Sequence, residues 1–437
     1  MNPLLRLPYS LAGHLARAAA ALAPPGAGKA LRSLRARRGV RARFAAWGAA
    51  HRDRSRPLLW VHATSVGEGL MARPVLALVR RRRPDLQIAY TFFSPSAEAF
   101  ARGVGADFAD YLPFDTMGDA ERALDALRPT VLVFSKLDVW PLLAARARAR
   151  GVRLGLISAT LSADSSRGSA FARLVLADAY AALDAVGAID VEDGARLVAL
   201  GARADRLAVT GDTRYDQVWA KARGVDRRSP LLAPLASERP TLVAGSTWPA
   251  DEGPVLAAWR IVRVQVARAR FIMAPHEPAP EHLRAIEEWA ARERLTCRRL
   301  SAPGGTAPGG TALCDADVLL VDRVGVLADL YALASVAYVG GGFHAAGLHS
   351  VIEPAAFGVP VLFGPRHHAS RDARLLLAAG GGFSAASAQD LAARILALLA
   401  APDERETAGR RARAVVEAEL GAAERSAALV ERLLATS

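Results

Sequence analysis

The feature that most restricts what this chain can become is a repeated alternation. Short apolar runs are followed by longer Ala/Leu/Arg-rich stretches of helical character. The runs in the first half are Leu58–Ala63, Gln87–Phe93, Val131–Phe134, Arg153–Ser158 and Leu207–Thr210. Those in the second half are Thr241–Ala244, Arg270–Ala274, Val318–Val321, Val336–Val339 and Val359–Phe363. Strands buried on both faces read as continuous apolar runs, and parallel neighbours need a crossover helix between them. The pattern therefore predicts an α/β chain with two doubly wound, Rossmann-like domains facing a central cleft. A length of 437 residues suits two such domains. Between the two sets, the segment from Asp216 to Pro240 carries Pro230, Pro234 and Pro240 and no clear period. The expected division is a basic segment over 1–50, a first domain over 51–217, a linker over 218–240 and a second domain over 241–437. The last of these is expected to include the C-terminal helices between Ala388 and Leu434. SAPGGTAPGGT, Ser301 to Thr311, reads as a flexible surface loop.

Charge is unevenly distributed. Residues 1–56 hold twelve Lys/Arg against the single acid Asp53, which is +11 of a net +13. Such a tail on a near-neutral body predicts attachment to a polyanion, either nucleic acid or anionic lipid. The first residues, MNPLLRLPYSLAGHLARAAAALAPP, favour lipid. Their apolar stretch is interrupted by Arg6, Pro8, His14 and Arg17, and a spanning helix wants about 20 apolar residues with few charges. The same charges argue against a signal peptide. A helix lying on a membrane surface, followed by the basic run KALRSLRARRGVRARF, is the expectation. The two cysteines, Cys297 and Cys314, form no C-x-x-C and suit a reducing compartment.

In open α/β sheets, ligands bind outside the carboxyl ends of the strands. The junction LLWVHATSVGEGLMARPVLALV places Glu68 where a strand gives way to a helix. Two roles are open for it. Ser65 and Glu68 fit the S-x-x-E capping box, and a carboxylate at a strand exit can also serve as general base. FSKLDVWP puts Lys136 and Asp138 at another exit, as a salt bridge or as catalytic groups, and GDTRYDQ supplies Arg214. In the second half, VAYVGGGFHAAGLHSVIEP runs from a strand into three glycines, then His349, a helix expected near Ser350, and Glu353. Glycines let backbone approach a ligand, and a carboxylate at a helix start can accept ribose hydroxyls. Further exits carry Gly245–Trp248, Pro275 and His276, and Asp322 to Gly325 with Val324. His276 and His282 are separated by prolines that exclude an i, i+4 helical metal pair, and no metal site is expected.

Taken in order, HATSVGE, YLPFDT, KLDVWP, LGARADRLAVTGDTRYD, AGSTWPADE, APHEP and GGGFHAAGLHSVIEPAAFGVPVLFGP resemble the Kdo (3-deoxy-D-manno-octulosonic acid) transferases. The resemblance spans about residues 55–400 and implies a GT-B glycosyltransferase fold. It implies an inverting, metal-independent transfer from CMP-Kdo to a lipid A precursor in lipopolysaccharide biosynthesis. No cofactor and no nucleic-acid partner are implied. Glu68 would be the base, with Lys136, Asp138 and Arg214 around the reacting groups. Pro275, His276, Val324, Gly325, His349, Ser350 and Glu353 would hold the CMP donor. The anionic face of the inner membrane, on the cytoplasmic side, would be the working surface, with the N-terminal helix peripheral or anchoring. Several positions depart from the family pattern: Lys136 stands for an acid, Arg214 for a lysine, Pro275 for an arginine, Arg323, Val324 and Val326 for the T, M and E of D-T-M-G-E, and Ser350 for an asparagine. A GT-B enzyme using another sugar nucleotide, and a non-catalytic membrane-surface binder, stay open at this point. A nucleotide-dependent oxidoreductase is disfavoured, because no G-x-G-x-x-G follows an early strand.

Overall fold

A computed structural model describes residues 3–22, 29–163, 165–301, 312–345 and 347–435. Two compact units emerge: residues 1–217 with 420–437, and residues 218–419. Each is built on one seven-stranded sheet, and all the strand pairings recorded in both are parallel.

In the first unit the strands are β1 (Leu58–His62), β2 (Gln87–Phe92), β3 (Phe108–Tyr111), β4 (Val131–Ser135), β5 (Arg153–Ala159), β6 (Ala185–Ala188) and β7 (Leu207–Val209). Their order in the sheet is β3-β2-β1-β4-β5-β6-β7. The order reverses direction between β1 and β4, which is the topological switch point of such a fold. β1, β2 and β4 are buried at every position, as their unbroken apolar runs require.

The second unit repeats the plan with β8 (Thr241–Thr247), β9 (Arg270–Pro275), β10 (Cys297–Arg299), β11 (Val318–Leu320), β12 (Val336–Val339), β13 (Val361–Phe363) and β14 (Gly382–Ser384). Their order is β10-β11-β9-β8-β12-β13-β14, with the switch between β8 and β12. The expected α/β class with two doubly wound sheets is thus what the chain adopts. Its core strands fall within three residues of the expected runs at either end.

The structure corrects three readings. First, β3, β6, β10 and β14 escaped the apolar-run criterion. They are only three or four residues long, and β10 reads Cys-Arg-Arg. Second, the helix Thr213–Arg223 continues through the start of the expected linker. Third, the last helix, Ala422–Ala435, belongs to the first unit. Leu429, Val430, Leu433 and Leu434 join the core around β4 and β5, whereas the Ala388–Ala400 and Pro402–Ala418 helices stay with the second.

Part of the basic N-terminus is also engaged within the fold. Arg37 is only 3% exposed and donates to the Leu112 carbonyl. Arg43 forks onto Asp110, Arg41 pairs with Asp119, and Arg52 donates to the Leu127 and Arg128 carbonyls. The expected loop after Ser301 lies outside the described residues.

Candidate functional site

The carboxyl ends of β1 and β4 converge at the first switch point. The helix Val66–Arg82 leaves β1 through Ala63–Ser65. Its N-terminus is closed by a reciprocal capping box: the Ser65 hydroxyl accepts from the Glu68 N–H at 3.5 Å, and the Glu68 carboxylate accepts from the Ser65 N–H at 3.2 Å. The helix stays close to the sheet because residue 69 is glycine. A Cβ there would lie 2.5 Å from the Phe100 ring and 2.6 Å from the Tyr90 hydroxyl. At the exit of β4, Lys136 adopts φ 68°, a left-handed conformation uncommon for a non-glycine residue and characteristic of functional turns. The Ser135 hydroxyl donates to the Glu68 carbonyl at 3.1 Å, joining the two exits.

These turns bring Glu68, Lys136 and Asp138 within electrostatic range of one another. Burial, and then the Asp138 carboxylate, push the Glu68 carboxyl above its ordinary range, while the Lys136 ammonium opposes the shift. Asp138 is held by the Thr64 hydroxyl and by Arg167. Beneath it, His62 is fully buried; it accepts from the Trp140 indole N–H at 3.0 Å on Nε2 and contacts the Thr91 hydroxyl at 3.0 Å through Nδ1. An indole only donates, so His62 Nε2 must carry a lone pair and the ring is neutral. Burial lowers its pKa to about 4, with the Asp138 charge acting in the other direction. Arg214 is placed differently. Its guanidinium forks onto Asp212 at 2.6 and 2.8 Å. The neighbouring Thr213 hydroxyl donates to the Met71 carbonyl at 2.8 Å, one turn beyond Glu68. The loop after β7 is thereby tied to the helix that Glu68 begins.

The second switch point is organised by a residue that the sequence reading passed over. Asp251, fully buried at the start of the helix Pro249–Gln265, accepts four hydrogen bonds. They come from the N–H groups of Trp248 (3.0 Å), Gly341 (2.8 Å) and Phe343 (3.0 Å) and from the Tyr338 hydroxyl (3.0 Å). This carboxylate fastens the glycine turn after β12 to the exit of β8. The turn admits no side chains: a Cβ on Gly340 would meet the Ser246 carbonyl at 2.2 Å, and Gly341 has φ 94°.

Above the turn, Trp248 stacks on His344 (4.6 Å, 11°) and lies against His276 (4.4 Å, 32°). His276 stacks on His349 at 4.5 Å, and the Trp248 indole donates to His349 Nε2 at 2.9 Å. Burial and the neighbouring His276 lower the His349 pKa. The strand exits expected to carry Trp248, His276 and His349 are united here with His344 of the glycine turn, and Asp251 is the addition. AGSTWPADE was visible as a motif, but which acid turned inward was not.

Other expected donor residues are distributed more widely. Pro275 is the buried last residue of β9. Glu353 lies in the first turn of a helix that runs only from Ile352 to Ala356, so it starts two residues after Ser350 and is too short for a strong dipole. Burial raises the Glu353 pKa. Val324, 75% exposed, and Gly325, at φ 87°, lie on the loop after β11, two strands away from the switch point. His282 pairs with Glu252 at 2.7 Å rather than with His276.

Residues 37–217 match the family described as 3-deoxy-D-manno-octulosonic-acid transferase (kdotransferase). The 3-deoxy-D-manno-octulosonic acid transferase of Bordetella pertussis is 33% identical over 377 residues, 84% of this chain and 85% of the relative. The chain belongs to the Kdo transferase family. The Haemophilus influenzae member is 25% identical over 378 residues, again 84% of this chain and 85% of the relative. Among solved structures, the UDP-GlcNAc 2-epimerase of Neisseria meningitidis bound to UDP-GlcNAc aligns with a TM-score of 0.61 at 13% identity. That alignment covers 87% of this chain and all of the epimerase, and it shows a shared fold. Within this Kdo transferase family member, Glu68, Lys136, Asp138 and Arg214 all fall inside the matched region.

Proposed function

We propose that the protein transfers Kdo from CMP-Kdo to a lipid A precursor, inverting the anomeric carbon, with Glu68 as general base. The observation that carries this reading is the Glu68 carboxyl at the first switch point, raised in pKa by burial and by Asp138. A base is most effective when its pKa approaches the working pH. The acceptor's primary hydroxyl gives its proton to Glu68 as its oxygen bonds to the anomeric carbon, and CMP departs with the electrons of the cleaved bond. Lys136 and Arg214 supply positive charge near the exits of β4 and β7, and Asp138 holds the turn that presents Lys136. A single departing phosphate can be stabilised by such cations and by backbone N–H groups, so the step needs no metal.

The donor belongs to the second unit in this reading. Glu353 accepts the ribose hydroxyls. His276, His349 and the backbone around Pro275, Ser350, Val324 and Gly325 receive the cytosine and phosphate. The enzyme works at the cytoplasmic face of the inner membrane. No helix among the described residues is long and apolar enough to cross a membrane. The helix Pro3–Leu22 nevertheless exposes Leu7, Leu11 and Leu15 at 82, 59 and 62%, four residues apart and so on one face. That face supports surface attachment.

The test is an assay with CMP-Kdo made in situ and a lipid A precursor, followed by mass spectrometry of the lipid. A lipid heavier by one or more Kdo residues is the expected product. Turnover with a UDP-sugar and none with CMP-Kdo would overturn the reading.

A further inference from the structure

Behind the exposed leucines, the opposite side of the Pro3–Leu22 helix roofs a cavity of about 240 Å³ in the first unit. Its walls are mainly apolar, formed by Tyr9, Ala16, Leu34, Phe93, Phe114 and Trp140. One cation, Arg37, lines it. Its guanidinium lies 3.4 Å from the centroid of Phe93, Nε donates to the Leu112 carbonyl at 3.0 Å and Nη2 reaches the Phe93 carbonyl at 3.5 Å. Nη1 is buried and has no partner among the described residues. A buried guanidinium nitrogen left unpaired is costly, and an anion is its natural partner. Desolvation holds the Arg37 pKa down to about 10.

The surroundings favour an anion. An adjoining cavity of about 440 Å³ is lined by Arg17, Arg37, Arg38 and Arg41, with Asp119 as its acid. Asp119 pairs with Arg41 through Oδ1 and has Arg17 at 4.0 Å, while its Oδ2 is buried with no hydrogen-bond partner among the described residues. The other acid at the site, Asp115, accepts from the Tyr9 hydroxyl at 2.8 Å and from the Leu142 and Leu143 N–H groups, so its oxygens are already engaged. Trp140 is shared with the reacting centre: one face stacks on Phe93 at 5.6 Å, and its N–H holds His62 below Asp138.

We propose that this cavity receives one acyl chain of the lipid acceptor, with an adjacent phosphate paired to Arg37 Nη1. The inference rests on the lipid-acceptor reading above and names where the lipid part is held. Apolar walls bind the chain, the unpaired nitrogen binds the acid group, and the shared Trp140 wall places the lipid beside the turn that carries Asp138.

Two variants test it. Arg37→Met keeps length and removes the charge; Ala16→Leu fills the cavity and leaves Arg37 intact. Each is assayed with acylated and with fully deacylated acceptor, and each is titrated with cis-parinaric acid, a fluorescent acid-headed chain. For Ala16→Leu the expected result is a KM for the acylated acceptor raised about tenfold, the equivalent of ~1.4 kcal/mol, with kcat and the deacylated acceptor's KM unchanged, whereas Arg37→Met, which removes the partner of the phosphate, should raise the KM of both acceptors. Parinaric acid binding should fall in parallel. Equal effects of Ala16→Leu on both acceptors, or no effect of either variant on the acylated acceptor, would overturn the inference. So would lost parinaric acid binding with an unchanged KM, which would mark a site for bilayer lipid. If Arg37→Met fails to fold, Ala16→Leu decides. If the wild type transfers no Kdo, the functional reading fails instead, and parinaric acid binding that depends on Ala16 and Arg37 still reports the cavity.

Discussion

At the scale of single residues, Glu68 holds two roles that do not compete. Its backbone and carboxylate close a capping box with Ser65. The same position at a helix start, half-buried beside Asp138, sets its proton affinity. Glutamine serves equally well at the third position of a capping box, so Glu68→Gln separates the roles. It should keep the melting temperature while lowering kcat by about 10²- to 10⁴-fold. The raised pKa also sets the sign of two pH effects. Activity needs the carboxylate, so kcat/KM should fall as pH drops through a value above the ordinary glutamate range. The protonated form is the one the fold favours. Its contribution to stability is present below the ordinary pKa and lost as pH rises through the folded one. Glu68→Gln should therefore not lose stability at pH 8. A pH–rate profile and thermal melts of both proteins check this, and a flat acidic limb in the wild type would remove Glu68 as the base.

At the scale of elements, each switch point is a pair of strand exits joined by one polar link. In the first sheet the link is the Ser135 hydroxyl on the Glu68 carbonyl; in the second it is the Asp251 carboxylate gathering four donors. Lys136, just after β4, and Ser246, near the end of β8 where its register with β9 shifts, have φ of 68° and 53°. Asp251→Asn would offer one acceptor oxygen and an NH₂ group to a nest of donors. It should cost the second unit at least about 2 kcal/mol, because hydrogen bonds to a charged acceptor are the strong ones. It should also weaken CMP binding about tenfold, read by calorimetry beside a thermal melt. Lost stability with unchanged CMP affinity would separate the glycine turn from the donor.

At the scale of the whole molecule, the chain uses its ends for different ends. The last helix returns to the first unit and completes the core around β4 and β5. The N-terminal segment gives Arg37, Arg41, Arg43 and Arg52 internal partners, while the leucines of the first helix and arginines such as Arg32, Arg35 and Arg54 face outward. The triple change Leu7→Ser, Leu11→Ser, Leu15→Ser should leave the melting temperature within about 1 °C, since exposed substitutions cost little. It should reduce sedimentation with vesicles containing anionic lipid by more than tenfold, as each leucine contributes up to about 1.5–3 kcal/mol when buried. Unchanged vesicle binding would assign attachment to other parts of the chain.

Local pattern was enough for the strands of both sheet centres, because doubly buried strands must be apolar throughout and their exits must carry glycine, small or charged residues. Glu68, Lys136, Asp138, His276 and His349 were legible for that reason: each follows such a strand. Edge strands such as Cys297–Arg299 were not, since an edge leaves polar side chains free to face water. Nor could the sequence tell which acid of AGSTWPADE would be buried, that His344 would stack on Trp248, or which arginines of the basic run would turn inward. Those choices depend on which groups lie close after the chain has folded. A charge pairs with whatever partner the packing brings to it, and its position in the sequence does not name that partner.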